Sequence, residues 1–374
     1  MMEKILVTGG AGFIGSHTVV ALQESRYEVV IVDNLSNSEL AVIDRITQIT
    51  GVRPSFEEVD LTDSNATFAL FKKYGKFDAV IHFAALKAVG ESVYKPLEYY
   101  RNNIVSLLNI LDGMKKTGCE KIVYSSSCTV YGDPDELPVT EKSPRKRAIS
   151  PYGNTKKIAE EILTDTVYAA HLGVTPLKVV SLPQSQEHAE EAPPAPPLKV
   201  VSLRYFNPIG AHPSAIIGEL PLGVPNNLVP YITQTAAGIR PVLNVFGDDY
   251  NTPDGTPIRD YIHVCDLAEA HVAALEYEPT LAELGVPDSV GSATSFIDTF
   301  NIGTGQGYSV LEVIKSFEKV SGVALNYRIS PRRAGDIEKI WGDPSKAERL
   351  LGWKATRSLD EMMLSAWQWQ VALG

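Results

Sequence analysis

Val7-Thr8-Gly9-Gly10-Ala11-Gly12-Phe13-Ile14-Gly15 follows the apolar start Ile5-Leu6 and leads into a helix-like segment, so its glycines sit at a strand-to-helix turn. The spacing suits a backbone that must approach a pyrophosphate closely, with a helix N-terminus supplying amide donors and the positive end of its dipole. A glycine triplet by itself is a weak signal. The next apolar run strengthens it, because Val29-Val30-Ile31-Val32 ends in Asp33-Asn34, where a carboxylate would bond a ribose hydroxyl. An acid there repels a 2′-phosphate and favours NAD over NADP. Asp33 also reads as a plain strand-end or helix-cap residue.

Moving outward, short apolar runs alternate with helical segments at Ile5 to Thr8, Glu28 to Val32, Ala79 to Phe83, Ile122 to Ser126 and Val200 to Tyr205. Fully apolar short strands in that rhythm predict a Rossmann-type, doubly wound parallel sheet of the α/β class, buried on both faces. From Pro208 onward Gly210, Pro213, Gly218, Pro221, Gly223 and Pro225 break the alternation. We expect residues 1–207 to form the dinucleotide-binding domain. Residues 208–374 are expected to form mainly a smaller α/β substrate lobe, with some segments returning to the first domain.

One heptapeptide occurs twice: Pro176-Leu177-Lys178-Val179-Val180-Ser181-Leu182 returns as Pro197-Leu198-Lys199-Val200-Val201-Ser202-Leu203. Only one copy can fill one strand position. The second runs directly into Arg204-Tyr205-Phe206-Asn207, so it is assigned to the sheet, and 177–197 is expected to be an exposed insertion at that strand's amino end. The intervening Pro183 to Ala195 is too rich in Pro, Glu and Gln to bury much surface.

The 374 residues carry 34 Lys plus Arg against 45 Asp plus Glu, a formal charge of -11 that argues against nucleic acid or an anionic membrane as partner. Cys119, Cys128 and Cys265 have no paired or metal-like spacing, so no metal is expected and a reducing cytoplasm suits them best. No apolar stretch reaches the ~20 residues of a membrane span, and no signal segment is apparent at the N-terminus.

Tyr152-Gly153-Asn154-Thr155-Lys156 puts a tyrosine and a lysine four apart, on one face of a helix. A phenol with a pKa of ~10 is a poor base at neutral pH unless a nearby cation stabilises its anion. An isolated pair of this kind is more simply an exposed pair on an amphipathic helix. The upstream Tyr124-Ser125-Ser126-Ser127-Cys128-Thr129-Val130-Tyr131-Gly132 changes the balance, since hydroxyls at a strand's carboxyl end can hold a reacting oxygen against the tyrosine. Glycine loop, serines and Tyr/Lys pair come in the order one hydride-transfer site needs. Glu91 and His263 have no partner spacing and read as structural.

With these motifs, and with His82 to Ser92, Arg204 to Pro208, Pro225 to Leu228 and Arg259-Asp260-Tyr261-Ile262-His263, the chain resembles the extended short-chain dehydrogenase/reductase family. Within it the likeness is to members that invert C4 of a UDP-hexose, over essentially the whole chain outside the insertion. The resemblance implies catalytic Ser127, Tyr152 and Lys156. It implies NAD against Gly9, Gly12, Phe13, Ile14, Gly15, Asp33, Asn34, Leu35, Ser36, Asn37, Ser38, Asp60, Leu61, Phe83, Ala84, Ala85, Leu86, Lys87, Asn102 and Phe206, as well as the catalytic trio. The UDP-sugar is implied to touch Lys87, Ser127, Thr129, Tyr152, Asn207, Asn227, Leu228, Asn244, Val245, Phe246, Arg259, Arg333, Asp336 and Ile340. Arg259 and Arg333 would clamp the diphosphate, although either could be a surface ion-pair partner.

The implied activity is that of an isomerase interconverting UDP-galactose and UDP-glucose. Tyr152 takes the 4-hydroxyl proton, a 4-keto sugar turns over in the pocket, and hydride return to its other face inverts C4. A cytoplasmic homodimer is implied too. Ala85, Cys128 and Asn154 depart from the commonest family residues, and Ile340, where a bulky aromatic would restrict the sugar pocket and a small residue open it, leaves substrate breadth open. Two other readings remain: another nucleotide-sugar enzyme, such as a dehydratase or a UDP-uronate epimerase or decarboxylase, and a non-catalytic NAD-binding sensor. A dehydratase would carry an acidic pair at Cys128-Thr129, and a sensor has no need of an activated phenol.

Overall fold

The middles of the first strands are wholly apolar, yet alternate residues leave on opposite faces. Ile5, Val7, Val29 and Ile31 enter one core, while Leu6, Val30 and Val32 enter another on the far side of the same sheet. Two buried faces are what a continuous apolar run requires, and a parallel sheet covered by helices supplies them. The computed structural model describes residues 2–172, 196–280, 283, 295–333 and 336–374.

The strands are β1 (Lys4–Thr8), β2 (Glu28–Asp33), β3 (Ser55–Glu58), β4 (Ala79–His82), β5 (Lys121–Ser127), β6 (Lys199–Tyr205), β7 (Asn207–Ile209), β8 (Leu243–Phe246), β9 (Ile258–His263), β10 (Phe296–Ile302), β11 (Gly307–Ser309), β12 (Tyr327–Ser330) and β13 (Lys339–Ile340). The helices are α1 (Phe13–Glu24), α2 (Ala41–Thr50), α3 (Ser64–Tyr74), α4 (Val89–Tyr94), α5 (Pro96–Thr117), α6 (Pro151–Leu172), α7 (Leu228–Ala236), α8 (Val264–Glu276), α9 (Val310–Ser321), α10 (Ser345–Leu350) and α11 (Leu359–Leu373).

A seven-stranded sheet runs in the order β10-β6-β5-β4-β1-β2-β3, and all its neighbours are parallel. The order reverses between β1 and β4, which opens a crevice at the carboxyl edge where such sheets take their ligands. Helices α1, α2 and α8 cover one face through Val19, Ile43, Ile46 and Leu267. Helices α3, α5 and α6 cover the other through Phe71, Ile110 and Leu163. Local signals set the ends of α5: a proline opens it, Lys115 and Lys116 lie in its last turn, and Gly118 closes it in the left-handed conformation at φ 73°.

Beyond β6 the chain builds a second core around Ile232, Val245, Tyr261, Phe317 and Met363. Strands β7, β9, β11 and β13 form one small sheet, and β8 pairs with β12 in another. β10 then returns to the edge of the large sheet.

The second copy of the repeat supplies β6, in register with Lys121 to Ser127 of β5 and Phe296 to Ile302 of β10. The chain enters that strand at its amino end, remote from Ser127 and Tyr205. The first copy lies outside the described residues.

Candidate active site

Each candidate residue is delivered by the end of an element that the sequence dictates. Gly9 leaves β1 at φ 66°, and a side chain there would meet the Ala84 backbone nitrogen at 2.9 Å. Gly15 sits inside α1, where a Cβ would lie 2.3 Å from the Gly9 carbonyl oxygen. Only with both glycines can helix, loop and the segment after β4 pack this closely. Gly12 is the N-cap of α1, with no side-chain cap and no acid in the first turn, so the amides of the segment opening at Phe13 and Ile14 remain available to an anion.

Asp33 closes β2 and accepts hydrogen bonds from Ala11 N at 3.1 Å, Leu35 N at 2.9 Å and Ser38 Oγ at 3.0 Å. It thus ties the glycine loop to the Asn34 to Ser38 turn, where Asn34 Oδ1 accepts from Ser36 N at 3.1 Å; Asn37 lies within the same turn. Asp60 holds its own turn through Thr62, and buried Leu61 presents its carbonyl to Asn109. After β4, Phe83 N and Ala84 N donate to Thr8, while Leu86 N donates to Asn103 Oδ1 at 2.8 Å. Asn103 also bonds Leu86 O and Thr155 Oγ1, so the Phe83 to Lys87 segment, α5 and α6 are locked together; Asn102 Nδ2 joins at 3.0 Å. Sequence reading named Asn102 and missed Asn103.

Strand alternation sorts the three serines. Ser126 turns away from the crevice and donates to Glu160 Oε1 at 2.6 Å. Ser125 Oγ accepts from the buried Tyr205 hydroxyl. Ser127 is left for the site, bonded to the Tyr152 phenol, with Thr129 N donating to its Oγ at 3.3 Å. Lys156 is buried and donates to Ser125 O at 2.6 Å, its ammonium over the Tyr124 ring at 5.0 Å. Thr129 Oγ1 is buried and makes no hydrogen bond within the described residues.

The softening expected of Tyr152 calls on a positively charged nicotinamide as well as on Lys156, and in the protein alone burial dominates. Burial pushes Tyr152 up to about 12, opposed by the Ser127 hydroxyl. Burial also pulls Lys156 down to about 7, against the favourable Glu160 charge. Two groups in one dry crevice each disfavour their own charge, so further positive charge must enter before the phenol ionises.

Under this floor lies a network that the motifs did not announce. Glu160, one turn beyond Lys156, accepts from Arg204 Nε at 2.8 Å and from its Nη2 at 2.6 Å, and Arg145 reaches it at 3.2 Å. Burial works to raise Glu160, but the Arg204 bonds and charge, with Ser126, hold it below the usual carboxylate range. Arg204 also donates to Tyr131 Oη at 3.0 Å, and Tyr131 donates to Asn301 at 2.6 Å.

The outer wall comes from the second lobe. Phe206 and Ile340 pack with Cys128, Val130, Tyr131 and Val139. Asn207 opens β7, and Asn227 sits just before Leu228, at the N-cap position of α7. Asn244, Val245 and Phe246 lie on β8; Asn244 Oδ1 accepts from Arg328 Nε at 2.7 Å. Neither arginine of the expected clamp stands free. Arg259 donates to Ile258 O at 2.8 Å and Ile337 O at 2.6 Å. Arg333 grips Asp336 at 2.8 and 3.2 Å beneath the Phe246 ring, its carbon Cζ 5.6 Å from the centroid. Glu91 bonds Lys95 and Tyr99, and His263 caps α8 through Cys265 N; both are structural.

A glycine turn with free helix amides at the switch point, and serine, tyrosine and lysine converging at β5, fit a dinucleotide and define a short-chain dehydrogenase/reductase of the extended type. The chain belongs to the NAD dependent epimerase/dehydratase family, whose model matches residues 5–283. It is 49% identical to the UDP-glucose 4-epimerase of Bacillus subtilis over 366 residues, covering 98% of this chain and 96% of that protein. It is 47% identical to the Dictyostelium discoideum UDP-glucose 4-epimerase, covering 98% of this chain and 96% of the other. Among solved structures, the Bifidobacterium longum UDP-glucose 4-epimerase in complex with NAD+ and UDP aligns at a TM-score of 0.85 and 44% identity over 99% of this chain and 98% of that one. The Stenotrophomonas maltophila enzyme, with bound NAD and formylated UDP-arabinopyranose, gives 0.85 and 47% over 100% and 99%.

Proposed function

We infer that this chain interconverts UDP-galactose and UDP-glucose by inverting C4, with NAD restored in every cycle. The observation that carries it is the meeting of Ser127, Tyr152 and Lys156 at the carboxyl end of β5, in a chain that matches UDP-glucose 4-epimerases along its whole length. When bound, the nicotinamide ring supplies a positive charge and a reversible acceptor for the C4 hydrogen. Tyr152 as phenolate takes the 4-hydroxyl proton while the C4–H bond gives up its electron pair with the hydrogen, leaving a 4-keto sugar. Ser127 shares the reacting oxygen. Lys156, held by Ser125 O, stands one turn along α6 from the phenol, where its protonated form favours the phenolate. After the ketone turns, the hydrogen returns to the opposite face and Tyr152 returns the proton, so no net oxidation occurs.

We assign the dinucleotide to Gly9, Gly12 to Gly15, Asp33 to Ser38, Asp60, Leu61, Phe83 to Lys87, Asn102 and Phe206, and the UDP-sugar to residues of the second lobe from Asn207 to Ile340 together with Lys87 and Thr129. Cys128 favours this over a dehydratase, because burial pushes its thiol up to about 12 and leaves it a poor proton donor. No helix among the described residues is long and apolar enough to cross a membrane, and the buried cysteines are free thiols, which supports a cytoplasmic setting. Exposed Leu97 and Leu108 on α5 and Tyr168 on α6 support a homodimer through those helices. Light scattering should give twice the 40.8 kDa chain mass, and a monomer at working concentration would rule the dimer out. Incubation with UDP-galactose and NAD, followed by NMR, should show UDP-glucose; a 4-keto-6-deoxy product, or no product, would overturn the epimerase reading.

A further inference from the structure

The carboxylate of Glu219 stands apart from both the glycine loop and the Ser-Tyr-Lys floor, in the connection between β7 and α7. Its Oε1 accepts from Asn227 Nδ2 at 2.6 Å and from Lys87 Nζ at 3.4 Å. Lys87 belongs to the segment after β4, whereas Asn227 occupies the N-cap position of α7 in the second lobe, its side chain free of any capping bond. One oxygen therefore ties the two sides of the cleft together.

The backbone beneath it is fixed. A Cβ on Gly218 would fall 2.4 Å from the Trp369 ring, and Trp369 Nε1 donates to Glu219 O at 3.0 Å. The Glu219 side chain is 11% exposed and that of Lys87 48%, so the carboxylate is the anchor and the lysine the adjustable partner.

A carboxylate can only accept, so Asn227 must turn its amide NH2 toward Glu219 and its oxygen the other way. The Lys87 ammonium has three donors, and one directed at Glu219 leaves the others for a ligand. We propose that Glu219 is a positioning residue for nucleotide-sugar binding: it orients the Asn227 amide and keeps Lys87 over the cleft, setting the grip on the UDP-sugar without entering the hydride step. The proposal deepens the epimerase reading and rests on it, through Lys87 and Asn227 as substrate contacts.

Glu219→Gln keeps the size and one acceptor but removes the charge, and its own amide lets Asn227 face either way. Losing a charge-assisted contact should raise KM for UDP-galactose about tenfold, with kcat within about twofold. Tm should stay at its wild-type value, and NAD, held by many contacts besides Lys87, should remain bound. Glu219→Asp, which keeps the charge but withdraws it, should fall between the two. A lowered Tm with unchanged KM would make Glu219 a structural tie and overturn the proposal. So would a fall in kcat accompanied by loss of NAD. A wild-type protein that does not turn over UDP-galactose would sink the epimerase reading, and the inference with it; wild-type turnover with unaltered KM in both variants would sink the inference alone.

Discussion

Glu160 and Arg204 face each other beneath β5 with both side chains more than nine-tenths buried, whereas Arg333 holds Asp336 at the rim with 57% of its own side chain in solvent. Both are carboxylate–guanidinium pairs of similar length, yet their settings give them different work. In the buried pair every displacement leaves a charge without water, so Ser126, Tyr131 and the strand carrying Ser127 are held to one geometry. The exposed pair exchanges partners with solvent at little cost and can release its arginine to an arriving phosphate. The buried floor is thus built in advance, while the rim is left adaptable. That division suits a reaction whose sugar must turn over while its nucleotide end stays held.

The largest effect should come from the floor. Tyr152→Phe removes the hydroxyl proposed to take the proton, and turnover should fall by about 10²-fold or more, with NAD still bound. A rate near wild type would take the base role from Tyr152 and blur the distinction between floor and rim. Next, Glu160→Gln strips a buried arginine of its counter-charge and should cost about 3–5 kcal/mol in denaturant unfolding. A loss under 1 kcal/mol would show that Arg204 finds another partner and that the floor is less fixed than its bonds imply.

Acid should weaken the fold through its buried histidines. His17 and His82 are pulled down to about 3, and His263 and His271 to about 4, all chiefly by burial. Their folded values lie below the ~6.5 of an unfolded histidine, so the unfolded chain binds more protons as pH drops through that range. The stability they contribute is complete above about pH 6.5 and is lost on the way down to 3–4. Asp260 acts with the opposite sign: burial raises it to about 6, so it gains stability as pH falls toward its unfolded value. These four against Asp260 should cost about 3 kcal/mol between pH 6.5 and 5.5, and His212, also pulled down by burial, adds to the loss. A flat profile in that window would mean that these histidines meet water or acquire partners.

What could be read in the sequence follows this same contrast. β1, β2, β4, β5 and β6 are interior strands whose apolar runs announce them, and the glycine turn and Tyr152/Lys156 pair have fixed spacings. The edge strands were not legible: β3 reads Ser55-Phe56-Glu57-Glu58 with exposed ends, and β10 carries Asp298 and Thr299 amid its apolar residues. An edge strand meets solvent and may keep polar groups, so its pattern resembles a loop. Glu160, Asn103 and Glu219 were invisible for another reason. Each joins segments far apart in the chain, Glu160 to Arg204 and Glu219 to Lys87, and no local period records a tertiary hydrogen bond. The only hint for Glu160 was its place one turn after Lys156. The resting partners of the two arginines were not legible either, because Arg259 bonds the backbone carbonyls of Ile258 and Ile337, which only folding brings to it.

The smallest effect should appear at the rim, and it tests the adaptability assigned there. Arg333 and Asp336 are three residues apart and the arginine is exposed, so breaking their pair should move stability by under ~1 kcal/mol. If the guanidinium leaves Asp336 for the diphosphate, Arg333→Ala removes one charge-assisted contact and should raise KM about tenfold, leaving kcat near wild type. Arg333→Lys should recover only part of the loss, since an ammonium keeps the charge but cannot present two parallel donors. The contribution should also shrink as salt rises, because an exposed charge is screened over about 8–10 Å at moderate ionic strength. An unchanged KM in Arg333→Ala would leave Arg333 as a partner of Asp336 alone, and Arg259 would then have to hold the phosphates from its backbone-bonded position. A fall in kcat equal to the rise in KM would instead place Arg333 in the reaction step and join the rim to the floor.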